Sequence, residues 1–318
     1  MMKKTCVLTV LIMLGLLSIL SAQSEEKKKY ANPFGEKINQ QAKKIYKNSQ
    51  NSWEADLGNG IVLVYIPPGD FEMGSNENKD EQPPHTVYLD GYWMGKTPVT
   101  VAQYKKFTSD TEDHFIPEWV SKYIPGDNHP AVWVSWEDAA AYCAWLSEKT
   151  GLHFKLPTEA QWEKASRGTD SRKYPWGNFQ PSGKTVNAAD KQLSLKEKAG
   201  WADKDTDDGY AYTAPVGSYP DGASPYGVLD MSGNVWDWCR DWFENEYYIN
   251  SPKKNPTGPK RGRYHVVRGG SWNFDTKHLR CSSRFGIRPS TCNYDLGFRL
   301  CLEELPQRHE DTKVHKGS

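Results

Sequence analysis

The pattern of apolar and polar positions divides the chain into an apolar leader, a polar stretch and a long mixed domain. Behind Lys3 and Lys4, an apolar run extends from Cys6 to Leu20, followed by Ala22-Gln23-Ser24. Charge, then about 15 apolar residues, then small residues is the layout of a cleaved secretory signal, and it falls short of the roughly 20 residues a bilayer span needs. Residues 1–24 are therefore expected to be a signal peptide, with an uncleaved anchor as the alternative. The product would be exported to the periplasm, the cell surface or the medium, with no membrane span after cleavage. Residues 25–57 are Lys-rich with little to bury, which predicts a linker or surface-hugging extension.

The domain expected over residues 58–302 begins with IVLVYIPPGDFEMGS, which reads as a strand, a Pro-Pro-Gly turn and a second strand. In HTVYLDGYWMGK, Val87 and Leu89 alternate as in a half-buried strand, followed by Tyr92, Trp93 and Met94. Three helices carry start signals. Thr100 stands three before Gln103, and Thr158 three before Gln161, each a capping box that satisfies free backbone N–H groups. Ser135 opens a third helix that stops at Gly151, with Ala139, Tyr142, Cys143 and Leu146 on one face. From Gly168 to Gly262 the pattern is mostly irregular, and so long an irregular stretch in a compact domain calls for something beyond a backbone ladder, such as bound cations. Short strands return near YHVVRGG, LRCSSRFG and LGFRLCLE, and residues 303–318 form a solvated tail.

Composition sharpens this picture. Forty basic and 40 acidic residues balance, so no global field attracts nucleic acid or an anionic membrane. Thirteen Trp, 17 Tyr, 26 Gly and 20 Pro describe a turn-rich domain that packs rings more than long aliphatic helices. Of six cysteines, Cys6 leaves with the signal; Cys143, Cys239, Cys281, Cys292 and Cys301 remain, an odd number that leaves at least one thiol free.

The strongest local chemical signal is DMSGNVWDW. Asp230 and Asp237 lie seven apart around a Gly233-Asn234 turn, so their carboxylates with the Gly233 and Val235 carbonyls can surround one Ca2+, a hard cation that prefers oxygen. A second acidic turn holds Asp208 before Gly209, with Asn187 upstream. The chain contains no HExxH, no paired CxxC, no phosphate loop and no G-x-S-x-G elbow, and His129 and His265 read as satisfied polar residues.

The ordered motifs FEMGS, KTPVTVAQYKKF, PAVWVSWEDAAAYCAWLS, KLPTEAQWEKASRG, YPWGN, TAPVGSYPDGASPYGVLDMSGNVWDW, VVRGGSW and LGFRL resemble the formylglycine-generating enzyme family, the sulfatase-modifying factors, over about residues 58–302. The resemblance implies an α+β, C-type-lectin-like fold with little regular secondary structure and two calcium ions. One would be held by Asp230, Gly233, Val235 and Asp237. The other would be held by Asn187, Ala188, Asp208 and Tyr210, with Ala188 and Tyr210 using their carbonyls.

Catalysis is where the likeness breaks. The family oxidises a sulfatase cysteine to formylglycine with Cu(I) held by a Cys-x4-Cys pair after the Gly-Gly-Ser turn, and here that segment reads SWNFDTKHLRC. A soft cuprous ion needs two sulfurs, so copper is not expected. By the same resemblance Cys281 matches a disulfide cysteine whose partner position is Ser166. Cys143 would pair with position 300, which is Leu300, while Cys301 should face the other side of its strand. Cys281 is then a bystander, or paired with Cys292.

The stretch 269–295 becomes a display surface for a protein or small ligand. Its candidate binding residues are Trp236, Ser271, Phe274, His278, Arg280, Arg284 and Tyr294; Phe285 and Arg288 also lie in this stretch, and Trp272 and Phe298 are expected to pack inward. Three readings follow: a non-catalytic binding or structural module of the cell envelope, in one form a variable protein of a diversity-generating retroelement; an oxidoreductase working by an altered route; or a partner subunit of an exported sulfatase.

Overall fold

The computed structural model describes residues 36–303 except Asp113. The expected signal peptide and the tail beyond Glu303 lie outside the described residues. In chain order the elements are α1 (Glu36–Gln41), β1 (Lys44–Lys47), β2 (Trp53–Gly58), β3 (Ile61–Ile66), β4 (Gly69–Met73), β5 (His85–Leu89), β6 (Tyr92–Gly95), α2 (Val101–Thr111) and α3 (Trp136–Thr150). There follow β7 (Phe154–Lys155), α4 (Glu159–Arg167), α5 (Lys191–Glu197), β8 (Trp236–Trp242), β9 (His265–Arg268), β10 (Arg284–Ile287), β11 (Leu296–Gly297) and β12 (Cys301–Glu303).

A six-stranded sheet in the order β1-β2-β3-β6-β12-β7 divides the interior. The period of two along β3 feeds both faces. Ile61 and Leu63 pack with Tyr104 and Phe107 of α2 and Tyr142 and Leu146 of α3, whereas Val64 and Ile66 pack with Trp162 and Ala165 of α4. The two-stranded β4-β5 sheet adds Phe71 and Val87 to that second core. A four-stranded sheet, β10-β9-β8-β11, carries the C-terminal motifs; β8 and β11 run parallel, with Leu296 opposite Trp236. All three helix starts fall where Thr100, Ser135 and Thr158 place them.

Three sequence expectations change. The stretch 25–57 is no mere linker: β1 and β2 form one edge of the large sheet, and Ile38 and Ala55 enter its core. The polar composition hides this because β2 buries a fully satisfied carboxylate. Glu54 accepts hydrogen bonds from Tyr46 Oη, Asn48 Nδ2 and Lys96 Nζ, each at 2.9 Å. At the other end, Glu303 belongs to β12 and bonds Gln161 at 2.9 Å. Within the irregular stretch lies β8, the seven-residue strand WDWCRDW, which the acidic-turn reading passed over.

Helix α4 buries all nine of its residues, charged ones included. Burying a charge is costly unless it is paired, and here each charge has a partner. Glu163 pairs with Arg167 at 2.8 Å and with Arg268, Glu159 holds Arg284 through two bonds of 2.7 Å, and Lys164 Nζ donates to the carbonyls of Pro67 and Gly69. Burial lowers the Lys164 pKa to about 8. This network joins α4 to the strands beneath the C-terminal segment.

Candidate functional site

Two loops, 186–210 and 230–237, meet beside the four-stranded sheet. Gly233 adopts φ +70°, and a Cβ there would lie 2.0 Å from the Asn187 carbonyl oxygen, so the close approach of the two loops requires glycine. Asn234 N donates to that same carbonyl at 2.9 Å.

The oxygens singled out by the sequence are available in this arrangement. Asn187 Oδ1 and Asp237 Oδ1 are buried without a hydrogen-bond partner, and the carbonyls of Ala188, Tyr210, Gly233 and Val235 accept no hydrogen bond from the described residues. Orphaned buried acceptors are unusual and call for an explanation such as an ion or water.

Charge points the same way. Asp208 accepts from Ala188 N and Tyr210 N, both at 2.9 Å, yet burial pushes its pKa up to about 7. Neighbouring Asp190 caps α5 and is also raised by burial; neither carboxylate has an ion-pair partner among the described residues. A hollow of about 20 Å³ lies against Asp190, Asp203 and Asp208, enough for a single water or ion.

In the second loop, Asp230 accepts from Gly217 N at 2.7 Å and is raised to about 6 by burial. Asp237 is raised by burial too, against the opposing pull of Arg299, whose Nε donates to its Oδ2 at 2.6 Å. Arg299 thus pairs with the Asp237 carboxylate and reaches Asp230 through its backbone carbonyl, to which Nη2 donates at 2.8 Å. Among the described residues no three His, Cys, Asp or Glu side chains cluster as a metal site, so a cation here would rest largely on backbone and amide oxygens, as calcium permits.

The Gly-Gly turn builds the adjoining surface. Gly269 and Gly270 take φ of 99° and 73°, and a Cβ on Gly270 would strike Leu279 and the His278 carbonyl. The turn buries Ser271 completely, where its Oγ donates to Asp295 Oδ2 at 2.8 Å. Burial raises Asp295 to about 6. Trp236 N donates to the Asp295 carbonyl, and the Trp236 ring meets Phe274 edge to face at 5.3 Å, with His278 and Phe285 at 6.5 and 6.4 Å. Phe285 is 56% exposed, so buried Trp236 backs an aromatic patch open at Phe274, His278 and Phe285. Tyr294 stacks on Tyr123 at 4.6 Å and sits against Trp272.

The structure divides the candidate binding residues. Phe274, His278 and Tyr294 reach the surface, and Trp236 and Ser271 support it from beneath. Arg280 and Arg284 must be corrected: neither is displayed. Arg280 is clamped on Glu81 through two bonds of 2.7 Å, and Arg284 is clamped on Glu159 and lies over the rings of Phe243 and Tyr248. An arginine in a surface-rich segment looks like an anchor until its acidic partner, about two hundred residues away in the case of Glu81, is seen. Trp272 and Phe298 do pack inward. Sequence reasoning missed Asp295 as the partner of Ser271, and Trp201, which is 60% exposed and donates to the Asn273 carbonyl.

Each of the five described cysteines is a free thiol, including Cys281 and Cys292. Ser166 Oγ donates to Cys281 Sγ at 3.1 Å, so a serine fills the place of a bridge partner. Cys301 packs with α4 on one side of the large sheet and Leu300 with α3 on the other, which is why Cys143, among the α3 residues, meets Leu300's side.

Sequence and fold together define a mixed α+β domain of the formylglycine-generating-enzyme type. Residues 26–304 match the Sulfatase-modifying factor enzyme 1-like domain, and the chain belongs to that family. It is 32% identical to the formylglycine-generating enzyme of Streptomyces coelicolor over 74% of this chain and 87% of that protein. It is 33% identical to the serine/threonine-protein kinase pkn1 of Chlamydia caviae over 74% of this chain, but spans only 37% of that protein. Among solved structures, PvdO from Pseudomonas aeruginosa superposes with a TM-score of 0.65 at 25% identity, covering 83% of this chain and 99% of PvdO.

Proposed function

We propose that this protein is an exported, calcium-stabilised module of the cell envelope that binds a protein or small ligand through its 269–295 surface and does not oxidise cysteine. The observation that carries the reading is the chemistry after the Gly-Gly-Ser turn. Trp272, Phe274 and His278 occupy that segment, Ser271 is spent on Asp295, and the nearest cysteine in sequence, Cys281, is turned to Ser166. No pair of thiolates stands where a cuprous ion would need one. Burial also pushes the Cys281 thiol up to about 11, away from the thiolate form a metal ligand or nucleophile requires.

Calcium fits the donors present. Asn187, Ala188, Asp208 and Tyr210 would hold one ion, and Asp230, Gly233, Val235 and Asp237 the other. The uncommitted oxygens and the uncompensated burial of Asp208 support the first site; Asp237 Oδ1 and the Gly233 and Val235 carbonyls support the second. Bound cations would hold the irregular loops and so fix the base of the aromatic patch. Export rests on the leader sequence; among the described residues no helix is long and apolar enough to cross a membrane.

The decisive experiment incubates the purified mature protein with Cu(I), oxygen and a Cys-x-Pro-x-Arg peptide, following the peptide by mass. The expected result is an unchanged thiol; conversion to aldehyde would overturn the proposal.

A further inference from the structure

A second place on the molecule has the form of a binding site. An open cleft of about 600 Å³, within the range of ligand pockets, lies between the loop carrying Lys79, Asp80 and Pro83 and the loop carrying Asn245, Glu246 and Ile249. None of its lining residues belongs to the 269–295 stretch, and it does not depend on the function proposed above.

Its walls are fixed from below. Arg284 Nη1 donates both to the Asp80 carbonyl at 2.8 Å and to the Glu244 carbonyl at 3.1 Å, so one buried guanidinium ties the two loops together. Glu81, next to Asp80, is locked on Arg280, and His85 bonds the Pro83 carbonyl at 2.9 Å while its ring rests 4.9 Å from that of Tyr248. A cleft held this way is preorganised, which lowers the entropic cost of binding.

The lining, by contrast, is uncommitted. Lys79, Asp80, Asn245 and Glu246 form no ion pair and no side-chain hydrogen bond with another described residue, although buried or surface pairing is common elsewhere on this chain. Among the lining side chains two carboxylates face one ammonium, and the Arg284 guanidinium that also attracts Asp80 from below is itself neutralised by Glu159. Pro83 and Ile249, the latter 60% exposed, add an apolar wall. An alkyl stem that ends in a cation satisfies both features: the stem covers Pro83 and Ile249, and the cation meets two carboxylates that are in no direct ion pair.

We propose that the cleft binds a lysine or arginine side chain of a partner peptide, with Asp80 and Glu246 taking the cation. Burial already raises the Asp80 pKa, so an arriving cation would also relieve a desolvated carboxylate. The test is calorimetric titration of the full mature protein with acetyl-Gly-Lys-Val-amide, its arginine counterpart and acetyl-Gly-Glu-Val-amide. The basic peptides should bind and weaken with added salt, and the glutamate peptide should not bind. Asp80→Asn and Glu246→Gln should each weaken binding about tenfold, and Glu246→Gln should do so with an unchanged melting temperature, because its exposed carboxylate makes no bond in the fold. Equal binding of all three peptides, no binding of the basic ones at millimolar concentration, or undiminished affinity in both variants would overturn the assignment.

Discussion

Replacing Ser166 by cysteine should close a disulfide with Cys281. Ser166 lies on α4 and Cys281 on the segment after the Gly-Gly turn, 115 positions apart, with Oγ and Sγ separated by 3.1 Å in the interior. A disulfide needs about 2.05 Å between sulfurs, a distance that side-chain rotation and a small backbone shift can provide. Cross-linking a loop of that length removes unfolded-state entropy worth about 4.8 kcal/mol on the chain-entropy estimate, an upper value because native strain subtracts from it. For a domain of this size that corresponds to a rise of roughly 10–20 °C in Tm at most. The assay is twofold: thiols titrated after denaturation should number one fewer than in the parent, and the oxidised variant should melt well above the same variant reduced. A count one higher than the parent, with coincident melts, would show that Cys281 does not face α4 as described.

Four further outcomes follow from the same structure. Chelation of calcium should lower Tm, and Asp208→Asn should abolish at least part of the calcium-dependent rise, as measured by scanning calorimetry with and without added calcium. Arg299→Met should leave Asp237 buried without its guanidinium and cost about 3–5 kcal/mol in denaturant unfolding. Burial beside Glu159 raises Asp241 to about 8, so the folded state keeps a proton there that the unfolded chain releases near pH 4; this group's contribution to stability is present below that pH and is lost as pH rises toward 8. Asp241→Asn should flatten that decline in Tm between pH 5 and 8. Phe285→Ser, at an exposed ring, should leave Tm within a degree or two while weakening whatever ligand the parent protein captures on the 269–295 surface.

Much of this was legible in the sequence, for reasons that are local. Two capping boxes and an opening serine announced three helices because a cap depends only on residues about three apart, and each cap is formed. The apolar run Ile61–Ile66 ahead of a Pro-Pro-Gly turn announced a strand, and the opposite facing of Leu300 and Cys301 followed from the period of two. The oxygen-rich turns around Asp208 and Asp230 stood out because their carboxylates and glycines lie within a few positions of one another. The absence of a thiol pair after Ser271 was equally plain once the family resemblance said where to look.

What the tertiary structure decided was partnership across distance. Glu81 meets Arg280, Glu159 meets Arg284, Ser166 meets Cys281 and Ser271 meets Asp295, and nothing near any of these residues in the chain names its partner. A buried charge is tolerated only where its counter-ion is delivered by another element, so the same arginine reads as a surface anchor in sequence and as an internal brace once α4 is packed beside it. For the same reason the polar stretch containing Glu54 looked too hydrophilic to fold: its burial is possible only because Tyr46, Asn48 and Lys96 converge on the carboxylate, an arrangement that exists only after the sheet has formed.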